Sequence, residues 1–194
     1  MRAAAAAISA VAAVSLVLQL AALVQELGWG RGVFAFTAFF TILTNGLIAA
    51  AMARTAATGR AEAPLMAFLL VQIAVVALVW HLVLARMYHP VGLAWWADLG
   101  LHTLVPAGMA VFWWRLAPKA GLRPRQAALW LAWPLGFCAY AMARGAAFGW
   151  YPYFFLDPRE VGQAGVAIAV LGLGLLFLAL GLAVVALGRR RARG

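Results

Sequence analysis

Six apolar runs divide this chain, and each is long enough to cross about 30 Å of hydrocarbon as a helix rising ~1.5 Å per residue. They cover residues 4–27, 33–53, 64–84, 97–114, 126–147 and 165–187. The segments between them are short and rich in Gly, Pro and Trp, which suits turns and interfacial anchoring. With 67% hydrophobic and 10% charged residues, the chain carries more apolar surface than a water-soluble domain of its size can hide. The expected fold class is therefore an all-α membrane protein: a six-transmembrane-helix bundle forming a single integral membrane domain over residues 1–194. The first run is too long for the apolar region of a signal peptide, so it is expected to be a retained helix.

The net charge of +10 is a topology signal rather than a nucleic-acid footprint, because the basic residues sit at the ends of the apolar runs. With both termini on one side, that side holds Arg2, Arg54, Arg60, Arg115, Lys119, Arg123, Arg125, Arg189, Arg190, Arg191 and Arg193. The other side holds only Arg31, Arg86, Arg144 and Arg159. The positive-inside rule then makes both termini cytoplasmic in a multi-pass protein of the cell (inner) membrane. The single cysteine, Cys138, lies in an apolar run and reads as packing. Three histidines with no carboxylate cluster at ligand spacing give no metal site.

Polar residues inside the runs mark where chemistry can occur, since each is costly in hydrocarbon unless paired or wet. In the second run Thr37, Thr41, Thr44 and Asn45 fall at i, i+4, i+7 and i+8, a sector of about 100° on one continuous helix. In the fourth, Asp98 and His102 are one turn apart. An Asp in that position can fix the tautomer of the imidazole and raise its basicity. The topology brings these residues to the outer half of the bundle, with His81, Tyr88, His89, Tyr140, Arg144, Tyr151, Tyr153, Asp157, Arg159 and Glu160. The expected site is a polar pocket opening outward, above an apolar inner half that accommodates an acyl chain. An ion pair between Asp98 and Arg144 is a purely structural alternative.

In this order, the stretches FFTILTN (residues 39–45), WWADLGLHTLVP (95–106) and RGAAFGWYPYFFLD (144–157) resemble the androgen-induced-gene and androgen-dependent TFPI-regulating protein family, in a small bacterial form. The sequence departs from the human members at Asp98 and at Thr44-Asn45. The resemblance implies an intramembrane threonine hydrolase acting on fatty-acyl esters, such as fatty acid esters of hydroxy fatty acids. Position by position it implies Thr41 as nucleophile and His102, followed by Thr103 and Pro106, as general base. Asp98 then orients His102. Thr37, Thr44, Asn45, His81, Arg144, Tyr151 and Asp157 are the expected substrate-binding residues, and no cofactor is required. Two other readings use the same residues: a lipid-binding or transport protein with an unreactive pocket, and a haem protein ligated by His81 and His102.

Overall fold

A computed structural model describes residues 1–192, so Arg193 of the charge count lies outside the described residues. Every regular element among those residues is a helix, and none is a strand. Four helices are long and apolar enough to cross a membrane: Arg2–Leu27, Phe40–Thr58, the stretch Ala63–Arg86, and Pro158–Arg191. The chain divides into two compact units, Met1–Gly121 and Leu122–Gly194.

In the first unit, α1 (Arg2–Leu27) packs against α2 (Trp29–Phe36), α3 (Phe40–Thr58), α5 (Leu93–Leu99) and α6 (Val105–Arg115), while α4 (Ala63–Leu82) packs on α3 and α6. The buried face of α1 is Ala5, Ile8, Ala12 and Ser15, a recurrence of three and four residues that keeps one stripe against the bundle. Glycines on the facing helices let backbones approach this stripe. A Cβ at Gly108 would meet Ile8 Cγ1 at 3.1 Å, and one at Gly100 would overlap the Ser15 side chain. Ile48, Met52, Met66, Leu69, Ile73, Met109 and Phe112 fill the centre and are fully or almost fully buried.

The expected single helix over residues 33–53 is broken. Thr37 Oγ1 donates to the carbonyls of Phe34 (3.1 Å) and Val33 (3.4 Å), Ala38 N–H turns back to Ala35 O at 3.0 Å, and Phe39 is extended. Such back-bonding offers the backbone an alternative to the helical ladder, and α3 restarts at Phe40. The fourth expected span also departs from regularity. Between α5 and α6 the residues Gly100–Leu104 form a π turn, in which Val105 N–H bonds Gly100 O.

The second unit contains α7 (Pro124–Leu129), α8 (Ala132–Phe148) and α9 (Pro158–Arg191). The expected fifth span is thus divided at Trp130 and Leu131, and α8 alone has 17 residues. Gly149, at φ 71°, ends α8 in the left-handed conformation that favours glycine. Asp157 caps α9 by accepting from Arg159 N–H at 2.9 Å. Ala141, Leu156 and Val166 form the buried cluster between α8, the 3₁₀ turn Phe154–Leu156 and α9.

Candidate active site

Asp98 lies in the last turn of α5 and His102 in the π turn, so their spacing of four places both on one face. His102 Nδ1 is 2.7 Å from Asp98 Oδ1. A carboxylate only accepts, so toward an ionised Asp98 the donor is Nδ1–H, and in the neutral imidazole of that tautomer Nε2 is the acceptor. Opposite Nε2, at 3.3 Å, is Thr41 Oγ1 in the first turn of α3. In that tautomer the hydroxyl donates to the imidazole, and the three side chains are linked as one relay from carboxylate through imidazole to hydroxyl. The His102 and Asp98 side chains are 12% and 20% exposed: sheltered, yet within reach of a small reactant.

The backbone around the relay is irregular for a reason visible in the sequence. Pro106 has no N–H, so it can donate neither to His102 O four residues back nor to Leu101 O five residues back. Val105 N–H, the remaining helical donor for Leu101 O, is taken by Gly100. Asn45 fills the gap: its Nδ2 donates to Leu101 O at 3.4 Å and to Thr41 O at 2.9 Å. The reverse amide orientation would set Oδ1 against two carbonyl oxygens, so these bonds fix it; Oδ1 itself is buried without a hydrogen-bond partner among the described residues. Asn45 and Thr44 are completely buried in α3.

Two residues of α4 complete the site. The Trp80 ring lies on the His102 ring with centroids 4.1 Å apart and planes 13° from parallel. His81 Nε2 is 3.2 Å from Thr103 Oγ1. The consecutive pairs Trp80-His81 and His102-Thr103 thus clasp each other side chain to side chain.

No protein-family model, curated protein or solved structure matches this chain. The functional reading therefore rests on the geometry and on the short motifs of the sequence.

Of the expected site residues, the first unit brings together Thr41, Asn45, His81, Asp98 and His102, with Thr44 in the adjacent core. Thr37 is a correction: it is exposed at the end of α2, its hydroxyl bonds its own helix, and the break removes it from the stripe. The remaining three belong to the second unit and have partners there. Arg144 Nη1 donates to Tyr140 OH at 2.7 Å. The Tyr151 ring fills the space that a Cβ at Gly145 would need, and Arg159 Cζ lies 5.6 Å from its centroid. Asp157 is held by Arg159 Nη2 at 2.6 Å and Nε at 2.9 Å, which keeps its carboxyl below the usual carboxylate range. Trp80, the Leu101 carbonyl that takes a side-chain rather than a helical donor, and the π turn are not foreseen from the sequence. Pro106, close after the histidine, was the available signal for the last two, whereas nothing distinguishes Trp80 from the other eight tryptophans.

Proposed function

We propose that this chain is an intramembrane ester hydrolase, with Thr41 as nucleophile, His102 as general base and then acid, and Asp98 as the residue that orients His102. The observation that carries this reading is the relay Asp98 Oδ1, His102 Nδ1 and Nε2, Thr41 Oγ1, at 2.7 and 3.3 Å. A threonine hydroxyl is a weak nucleophile at neutral pH and needs a base within hydrogen-bond reach; here the base is fixed in the productive tautomer. The site lies among apolar helices, which suits a fatty-acyl ester drawn from the membrane. This agrees with the resemblance to the androgen-induced-gene hydrolases. The membrane frame we propose is six spans with both termini cytoplasmic in the inner membrane, from the eleven-to-four distribution of Lys and Arg.

The reaction follows from the relay. Thr41 Oγ bonds the acyl carbon while its proton passes to His102 Nε2, giving a tetrahedral oxyanion and an imidazolium held by Asp98. Collapse breaks the ester C–O bond, and Nε2 returns the proton to the departing alkoxide. Water then attacks the acyl-threonine, loses a proton to Nε2, and Thr41 Oγ leaves as the hydroxyl with that proton. The relay supplies the nucleophile, the base and the carboxylate that orients it. The geometry favours hydrolysis over haem ligation by His81 and His102, because both ring nitrogens of His102 and Nε2 of His81 already face protein partners.

The test is a fluorophosphonate probe and a fatty-acyl ester, applied to protein that remains folded in detergent. Thr41→Ala is expected to abolish labelling and turnover, whereas Thr44→Ala retains labelling. An adduct mapped to Thr44, or undiminished labelling and turnover in Thr41→Ala, would defeat the assignment. Lipid binding by a wild-type protein that neither labels nor hydrolyses would support a lipid-binding or transport role instead.

A further inference from the structure

We propose that Trp80 is a positioning residue for the hydrolysis, acting through His102 by holding the imidazole in plane and stabilising it electrostatically once it becomes positive. This rests on the hydrolase reading above and assigns a role to a residue outside the relay. The observation is the near-parallel stack, with centroids 4.1 Å apart and planes at 13°. His102 is constrained on three sides: Asp98 at Nδ1, Thr41 at Nε2, and the Trp80 face over the ring. The first two fix direction within the ring plane, and the third fixes the plane itself.

The electrostatic part follows from a change of charge during the reaction. To act as general base in the proposed reaction, the imidazole starts neutral. When Thr41 Oγ–H gives its proton to Nε2 the ring carries a full positive charge, and the indole face presents the negative part of its quadrupole to it. An interaction stronger in the charged state than in the neutral one lowers the barrier rather than merely tightening the ground state. Trp80 is half-buried and His102 mostly so, which reduces the solvent screening that weakens exposed cation–π pairs. Tryptophan is also the best aromatic partner for a cation.

The experiment replaces Trp80 site-specifically with mono-, di-, tri- and tetrafluorotryptophan, which keep the shape and apolar character of the ring while draining its face of negative potential. Trp80→Phe and Trp80→Leu are made alongside. Rates of fluorophosphonate inactivation and of p-nitrophenyl ester turnover are measured on each. The expected result is a stepwise fall along the fluorinated series, borne by kcat with KM little changed. Trp80→Phe should be intermediate and Trp80→Leu about tenfold slow, in line with a partly desolvated cation–π contact. A structural packing role would leave the fluorinated series flat. A flat series in a protein whose wild type labels at Thr41 overturns the role of Trp80 and leaves the hydrolase reading standing. Absence of any Thr41 adduct in wild type overturns both. Because the fluorinated residues are nearly isosteric, the test holds even where Trp80→Leu fails to fold.

Discussion

Gly100 opens the π turn and touches Ser15 of α1, and this contact gives a test of how tightly packing fixes the backbone that carries His102. A Cβ built on Gly100 overlaps Ser15 Oγ and lies 2.8 Å from Ser15 Cβ. Rotating the serine hydroxyl away leaves the second clash, so a backbone must move. Overpacking of this kind costs about 3 kcal/mol at its upper end, and the helical preference of Ala over Gly returns about 1, leaving Gly100→Ala destabilised by ~2 kcal/mol. Gly100 has ordinary helical dihedrals (φ −66°, ψ −52°), so no conformational penalty is added. Ser15→Gly removes both clashing atoms and leaves the Ser15 Cα at 4.0 Å, an ordinary contact. By itself it should cost about 0.5 kcal/mol of helix propensity. The double variant keeps the alanine's gain without the clash, so it is expected about 0.5 kcal/mol more stable than wild type, a coupling of about 3 kcal/mol between adjacent sites. Thermal unfolding in detergent reads this as a midpoint lowered by about 4–8 °C in Gly100→Ala and restored in the double variant. Acylation should follow the same course, since the displaced turn carries His102. Strict additivity of the two substitutions would refute the reasoning, because it would mean that the two surfaces are not in close contact.

Two further outcomes follow from individual bonds. Asp98→Asn can present its amide N–H to Nδ1 and so favour the wrong imidazole tautomer; turnover should fall about a hundredfold or more while Thr41 and the fold remain intact, measured as kcat beside an unchanged circular dichroism spectrum. The Asp157 carboxyl is held below its ordinary range first by the Arg159 side-chain hydrogen bond, so its stabilising effect is full above the unfolded carboxylate range and is lost as pH falls through the depressed native value. The difference in unfolding midpoint between wild type and Asp157→Asn should therefore be largest near neutrality and shrink on acidification; a difference constant to low pH would count against the pairing.

Where the sequence was legible, local spacing sufficed. Asp98 and His102 are four residues apart, and any helical backbone brings them to one face, so that half of the relay could be read without coordinates. The other half depends on which helices pack together: Thr41 and Thr44 share a face, and only the approach of the π turn to the first turn of α3 brings Thr41 to Nε2. The break before α3 was hidden because residues 33–53 are apolar enough for one span and hold neither Gly nor Pro between Val33 and Asn45. At the break Ala38 N–H turns back to Ala35 O and Phe39 is extended, neither of which composition signals. The count of long helices falls below six for a related cause. The fourth and fifth apolar runs are composed for spanning, but a π turn interrupts one and the Trp130–Leu131 turn the other, and hydropathy is blind to both.

Both irregularities of the first unit fall at the relay, and one residue ties them together. The break starts a fresh helix at Phe40, placing Thr41 in its first turn; the π turn and Pro106 leave the carbonyl next to His102 without a backbone donor. Asn45 is one turn beyond Thr41 on α3, and its amide reaches the carbonyl of Thr41 and that of Leu101, the residue preceding His102. In a regular α6 the Leu101 carbonyl would be consumed by its own helix, and Asn45 would have only Thr41 O to hold. The irregular turn thus creates the acceptor through which the two helices are registered against each other. Registration to within a few tenths of an ångström is what a 3.3 Å approach between hydroxyl and imidazole requires, since general-base activation depends on direct hydrogen-bond reach.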